Sequence, residues 1–256
     1  MQFAKYHGTG NDFIMIDGFS QEVDYSQLNT ETIEGLCHRR FGIGADGLIV
    51  LEKSESFDFK MVYFNSDGNE STMCGNGARC LIKFASDLGY INDECTFEAI
   101  DGKHEGKVSE RVSVKMIDVS TIENHNGDSL VNTGSPHYIR IVDDVNSDDF
   151  ILEAKQIRHS SAFDKEGINV NFINKIGSEI HIRTFERGVE DETYSCGTGV
   201  VAASLVSSEK YPELGNHIKV KTVGGNLEVN FEKAAEGYKN IWLTGPAVKV
   251  FEGNLN

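Results

Sequence analysis

Apolar residues recur at two spacings along this chain, and the switches between them mark its elements. Phe57, Phe59, Met61 and Tyr63 alternate with polar or smaller residues, which predicts a strand. Ala78, Leu81, Ile82, Ala85 and Leu88 recur at three- and four-residue steps, which predicts a helix stopped by Gly89. The turn residues Asn65-Ser-Asp-Gly-Asn69 separate the two. Upstream, 3–6 and 12–17 read as strands around a Gly-Thr-Gly turn. Residues 26–40 have helix spacing at Leu28, Ile33, Leu36 and Cys37, and 47–52 reads as a buried strand. Segments 95–99 and 111–117 read as further strands.

A polar stretch, 120–129, reads as a linker, and the second half then repeats the same grammar. Strands are predicted at 139–142, 154–157, 168–172 and 180–185. A helix is predicted from Val200 through Leu205 and beyond, ending before Pro212. Its Gly199, Val200, Val201, Ala202, Ala203, Leu205 and Val206 leave no wide polar face, so it is expected to be buried. A hairpin is expected over 218–223 and 227–231 through Gly224-Gly225-Asn226. Segments 241–243 and 247–251 close the chain.

The repetition extends to particular residues. Glu70-Ser-Thr-Met-Cys74-Gly-Asn-Gly-Ala is matched by Glu192-Thr-Tyr-Ser-Cys196-Gly-Thr-Gly-Val, with the cysteines 122 residues apart. Thr9-Gly10 before a strand is echoed by Thr133-Gly134, and Val62-Tyr-Phe-Asn65 by Thr184-Phe-Glu-Arg187. Cys37-His38 and Phe41 have a weaker echo in His159 and Phe163. A period above 100 residues marks a duplicated domain and not a solenoid. The expected fold class is α+β: two pseudo-symmetric domains of roughly 120 residues, each a mixed, mostly antiparallel sheet wrapped around a central helix. The Cys-Gly-x-Gly turn opens that helix in each half.

Composition narrows the partners. The 256 residues carry 24 Lys plus Arg against 40 Asp plus Glu, a formal charge of −16. That disfavours nucleic acid and anionic membranes, which select basic patches. The five cysteines, an odd number with no C-x-x-C, make a poor disulfide framework and read as reduced thiols. The first residues lack a signal-peptide apolar core, and no stretch approaches spanning length. A cytoplasmic protein is the expectation.

A helix N-terminus presents unpaired N–H groups and partial positive charge, which lowers a nearby thiol pKa and binds carboxylates. Two such turns therefore suggest helix N-termini that grip one α-carboxylate while their cysteines flank the α-carbon. That arrangement removes a proton from one face of a carbon and returns it to the other. Without a cofactor, the developing carbanion needs preorganised dipoles. One cysteine must be thiol while the other is thiolate. Cys37, Cys80 and Cys95 lack the matched context and read as structural. His137, after Pro136, reads either as a neighbour of the site or as a structurally bonded loop residue. Gly42-Ile-Gly44-Ala-Asp-Gly47 has the spacing of a dinucleotide fingerprint, but it follows a helical pattern and opens a strand, the reverse of what that motif needs. No Walker A motif occurs, and the eight histidines show no metal-ligand spacing. No metal and no cofactor is expected.

Taken together, Gly10-Asn11-Asp12-Phe13, Phe64-Asn65-Ser-Asp-Gly68, Met73-Cys-Gly-Asn-Gly-Ala-Arg79, Glu186-Arg187-Gly188 and Ser195-Cys-Gly-Thr-Gly199 resemble the diaminopimelate epimerases. The resemblance runs the whole chain and includes the closing 245–253. It implies a pyridoxal-independent isomerase that interconverts LL- and meso-2,6-diaminoheptanedioate in lysine and peptidoglycan precursor synthesis. It implies domains 1–117 and 118–246, a last strand at 247–256 returning to the first, and a homodimer. It makes Cys74 and Cys196 the acid–base pair. Backbone N–H groups around Gly75-Asn76 and Gly197-Thr198 would hold the reacting carboxylate. Asn11, Asn65, Asn169, Glu186 and Arg187 would read the amino and distal carboxylate groups. Ser135 and Gly47 stand where many members have Asn and some have Gln. The alternatives are a proline- or hydroxyproline-type racemase, a non-catalytic amino-acid-binding protein of the same fold, and a thiol oxidoreductase. Asn76 and Gly10-Asn11-Asp-Phe argue against the first, retention of both cysteines against the second, and the missing C-x-x-C against the third.

Overall fold

A computed structural model describes residues 1–255, and the chain divides into two compact units. One comprises Met1–Val114 together with the chain from Gly245 onward; the other is Lys115–Thr244.

The first unit begins with an antiparallel hairpin, β1 (Gln2–Gly8) and β2 (Asn11–Asp17). Its two-residue loop, Thr9-Gly10, has φ of 53° and 89°. Positive φ at both loop positions matches the right-handed twist of the flanking strands. Helix α1 (Thr30–Cys37) follows, capped by the Asn29 side chain accepting from Thr32 N–H. Strand β3 (Gly47–Glu52) runs parallel to β2, and β4 (Phe59–Asn65) antiparallel to β3. Helix α2 (Gly75–Asp87) comes next. Then β5 (Glu94–Ala99) pairs parallel with β4, β6 (Gly102–Val108) antiparallel with β5, and β7 (Val112–Lys115) antiparallel with β6. The final strand of the chain, β17 (Val248–Asn254), pairs antiparallel with β1. α2 packs against β1, β2, β3 and β6, with every residue from Gly75 to Ile82 buried. α1 covers a second core of Ile14, Ile16, Leu48 and Val50 with Ile33 and Cys37.

The second unit has the same order. Strands β8 (Glu123–His125) and β9 (Asp128–Asn132) form a hairpin whose loop, Asn126-Gly127, again has positive φ. β10 (Pro136–Ile141) is antiparallel to β9; α3 (Phe150–Arg158) follows; β11 (Asn169–Ile176) is parallel to β10 and β12 (Glu179–Glu186) antiparallel to β11. A short β13 (Asp191–Thr193) pairs with β12 before α4 (Gly197–Lys210). β14 (His217–Thr222) is parallel to β12, and β15 (Gly225–Lys233) and β16 (Tyr238–Gly245) complete an antiparallel run. The sequence of parallel and antiparallel pairings from β9 to β16 repeats that from β1 to β7. α4 is buried from Gly199 to Ser208, as its apolar circumference requires.

Three local expectations are corrected. The strand expected at 154–157 lies in α3. Phe150, Ala154 and Ile157 are one helical face, and a four-residue window is too short to separate the two periods. The 120–129 linker contains β8 and the start of β9, a pairing that polar residues make through the backbone alone. The helix expected over 26–40 is only Thr30–Cys37. Strand β6, GKHEGKV, has almost no apolar pattern and exists because β5 and β7 pair on either side of it. Among the described residues, no helix is long and apolar enough to cross a membrane.

Candidate active site

Cys74 is the N-cap of α2 and Cys196 the N-cap of α4. Both have extended backbone, φ −99° and −109°, as an N-cap requires. The Cys74 carbonyl accepts the first intrahelical bond from Ala78 N–H at 2.7 Å, and the Cys196 carbonyl that from Val200 N–H at 2.9 Å. The amides of Gly75-Asn76-Gly77 and Gly197-Thr198-Gly199 therefore lie in the first turn, where an α-helix supplies no acceptor of its own. Cys74 is half-buried and Cys196 buried.

Around Cys74, three amide and guanidinium groups form a chain. The thiol donates to Asn11 Oδ1 at 3.8 Å, and Asn76 Nδ2 donates to the same oxygen at 3.2 Å. Asn11 Nδ2 donates to Asp46 Oδ2 at 2.6 Å. Arg79 Nη2 donates to Asn76 Oδ1 at 2.8 Å, and Arg79 Nη1 to Gly75 O at 3.2 Å. A cation at one end and a carboxylate at the other fix which way both Asn amides point. Asp46 also takes Arg39, which bridges to Asp12. Burial raises the Asp12 pKa, but bonds from Arg39 and Lys5 outweigh it and hold the carboxyl at about 2. Asn65 ends β4 opposite Gly47, its backbone closing the turn to Asn69, and its side chain joins none of these bonds. At Gly47 a Cβ would lie 2.5 Å from Phe64 O, so a side chain there requires the strand to shift.

Around Cys196, the chain of bonds runs through a hydroxyl and an imidazole. Cys196 Sγ lies 3.4 Å from Thr198 Oγ1, which lies 2.9 Å from His137 Nε2. Asn171 Nδ2 is 3.1 Å from His137 Nδ1 and also donates to Tyr138 O at 3.1 Å, while Asn171 Oδ1 accepts from the Thr184 hydroxyl. Its contacts to the carbonyls of Tyr138 and, at 3.4 Å, Asn169 fix Nδ2 as the NH₂ group, so His137 Nδ1 is an acceptor. The imidazole proton is then on Nε2 and donates to Thr198, leaving the Thr198 hydroxyl hydrogen for Cys196. Complete burial holds the His137 pKa at about 3, with the Arg187 charge acting in the same direction, so the ring is neutral at physiological pH. Thr133 Oγ1 donates to Thr198 O at 2.8 Å and steadies the turn. Gly199 is needed for this packing: a Cβ there would lie 2.6 Å from Asn171 Oδ1.

The remaining residues expected in the second half cluster at the start of β11 and the end of β12. Asn169 Nδ2 donates to Ser135 Oγ at 2.9 Å, and Asn169 Oδ1 accepts from Arg187 N–H at 3.0 Å. Arg187 Nη1 donates to Glu166 O at 2.8 Å, and Glu186 accepts from the Thr193 hydroxyl at 3.0 Å. Sequence patterns singled out His137 without deciding its part and missed Arg79, Asn171 and Thr184. Only Arg79 carried a visible sign, a charge in the middle of an apolar helix face. The other three cysteines are buried thiols: burial pushes Cys37 up to about 11 and Cys95 up to about 12, and raises Cys80 further still.

Comparison with known proteins agrees with this duplicated architecture. The family model described as diaminopimelate epimerase matches residues 3–122 and again 129–250. A diaminopimelate epimerase of Flavobacterium psychrophilum is 47% identical over 258 residues, covering all of both chains. One of Methanocella arvoryzae is 39% identical, covering all of this chain and 97% of its own. Among solved structures, a Bacillus anthracis phenazine biosynthesis protein of the PhzF family shares the fold with a TM-score of 0.79 at 15% identity, covering 100% and 99% of the two chains. A hydroxyproline epimerase from Agrobacterium vitis, with bound trans-4-OH-L-proline, shares it with a TM-score of 0.67 at 14% identity, covering 99% and 90%.

Proposed function

The chain belongs to the diaminopimelate epimerase family, and we propose that it interconverts LL- and meso-2,6-diaminoheptanedioate by a two-base exchange between Cys74 and Cys196. The observation that carries this is the placement of each cysteine at the N-cap of a buried helix, at equivalent points of two repeated units. First-turn amides on either helix suit a carboxylate, and a thiol at the cap is within reach of the carbon that carries it.

In one direction a thiolate takes the α-proton and the other cysteine, as thiol, delivers a proton to the opposite face. The reverse direction exchanges the roles. Developing negative charge at the carboxylate is met by the first-turn amides of Gly75, Asn76, Gly197 and Thr198, which act without reorganising. Asn11, Asn65, Asn169, Glu186 and Arg187 read the amino groups and the distal carboxylate. Arg187 suits a carboxylate by its planar fork, and Glu186 an ammonium group. Asn169 is held by Ser135 and by the Arg187 backbone, so its amide is oriented before substrate arrives. The reaction uses no pyridoxal and no metal. It supplies meso-diaminopimelate to lysine and peptidoglycan precursor synthesis in the cytoplasm.

The working form is a homodimer. Its support is β17, where Val248, Val250 and Phe251 are 45%, 56% and 45% exposed on consecutive stretches of one strand. A strand carrying that much exposed apolar surface is a template for a second copy.

A substrate panel tests the reading. LL-2,6-diaminoheptanedioate should be epimerised, whereas L-proline and trans-4-hydroxy-L-proline should not. Turnover of either cyclic amino acid in preference to LL-2,6-diaminoheptanedioate overturns it.

A further inference from the structure

We infer that Arg79 is a positioning residue for Cys74: a buried guanidinium, left without a carboxylate partner, whose fixed positive charge favours the Cys74 thiolate. This rests on reading Cys74 as an acid–base group and adds the device that sets its ionisation.

Arg79 is 0% exposed, the largest fully buried side chain among the described residues. Its bonds all go to neutral oxygens: Gly75 O, Asn76 Oδ1 and, at 3.5 Å, Thr9 Oγ1. Its Nε is buried with no partner. Among the described residues no carboxylate lies within ion-pair distance of it. A charge in such a place is costly and is seldom kept for stability, because an apolar side chain of similar volume serves the fold as well or better. The chain itself makes the comparison. Arg79 is the fifth residue of α2; the fifth residue of α4 is Val201, also fully buried. The second unit builds the equivalent helix with an apolar residue at this position.

The surrounding charges leave Cys74 as the group that can answer Arg79. Asp12 on β2 is spent on Lys5 of β1 and on Arg39, and Asp46 on Arg39 and Asn11. Asp101 bonds His104 of β6 and the Met73 amide. Arg111, between β6 and β7, is a like charge that acts against Arg79, and Glu252 of β17 acts on Tyr6. Cys80, the next residue, is completely buried and held as a thiol. Burial lowers the Arg79 pKa to about 10, and the groups that work against this loss are Cys80 and Cys74. Cys74 is only half-buried, at a helix cap, where the partial positive charge of the N-terminus favours a thiolate. Asn11 Oδ1, which accepts from the thiol, favours the protonated form. The Arg79 charge favours the other. A residue that is acid in one direction and base in the other needs both, so that neither form is locked.

The test is the pH dependence of Cys74 alkylation by iodoacetamide, read at the Cys74 peptide by mass spectrometry, in the full chain. Removing a neighbouring opposite charge raises the pKa of an acid by roughly 1–3 units. Arg79→Met should therefore move the Cys74 midpoint up by about one unit or more and slow alkylation at neutral pH about tenfold. Arg79→Lys should retain most of the wild-type profile, and the Cys196 profile should stay in place in both. Arg79→Gln against Arg79→Lys gives the same comparison with two polar side chains if the Met variant does not fold. A folded Met or Gln variant with the wild-type Cys74 midpoint overturns the inference, as does an equal shift with Lys. The readout uses no substrate: loss of the shift leaves the epimerase reading standing, and failure of the substrate panel leaves the alkylation result standing.

Discussion

The two helix caps share a backbone and have exchanged their polarity. In the first unit, the third residue of the helix, Gly77, faces Ile49 and Phe13; in the second, Gly199 faces Asn171 and His137. Phe13 pairs with Gly47 across β2 and β3 as His137 pairs with Asn169 across β10 and β11, so these are equivalent positions. The strands beneath Gly77 are thus apolar, and the buried charge in this helix is Arg79. The strands beneath Gly199 supply Asn171 and His137, and the position equivalent to Arg79 is the apolar Val201. One cap has a buried guanidinium bonded to Gly75 O, the other a neutral imidazole that reaches the thiol through a hydroxyl. An acid–base pair in which each member must hold and release a proton does not need equal environments. It needs two whose proton affinities lie close enough to exchange roles.

The largest effects should come from the sulfurs that both environments serve. Cys74→Ser and Cys196→Ser should each lower turnover by roughly 10²–10⁴-fold, the usual worth of a positioned acid or base. Near-normal turnover in either removes that cysteine from the pair. A smaller effect separates the two environments by stability. The His137 pKa of about 3 lies below its ordinary 6.5. Below pH 6.5 the unfolded chain therefore binds a proton that the folded chain refuses. Stability contributed by the neutral ring is complete above 6.5 and is lost as pH falls toward 3. Between pH 7 and pH 5 this amounts to about 2 kcal/mol. In urea unfolding, His137→Gln should lose about that much less than the wild type on going from pH 7 to pH 5. An unchanged difference means that the ring is not held neutral. Smallest is the hydroxyl between ring and thiol. Thr198→Val should reduce turnover about tenfold, one hydrogen bond's worth, with Thr198→Ser restoring it. Equal behaviour of Val and Ser would leave Thr198 with no part in the Cys196 chain.

The duplication, the two central helices and the cap positions of both cysteines were legible because each is written locally. A Gly-rich turn, an apolar helix and a 122-residue offset need no tertiary information. The unlike surroundings of the two caps were not legible. His137, Asn171 and Thr184 sit on three positions of β10, β11 and β12 and meet only through parallel and antiparallel register. Arg79 stands in a helix whose other members mark it as core, and its burial is decided by β1, β2 and β6. Likewise β6 and β8 are strands by pairing and not by pattern, whereas Ala154–Ile157 shows that a short apolar run leaves its period open.

The most direct measurement is epimerisation of LL-2,6-diaminoheptanedioate in deuterium oxide by the purified protein, followed from the first turnovers by mass spectrometry. Two cysteines acting on opposite faces should place one deuterium on the inverted α-carbon of the meso product while recovered substrate remains largely unlabelled. Meso product without deuterium would contradict the account.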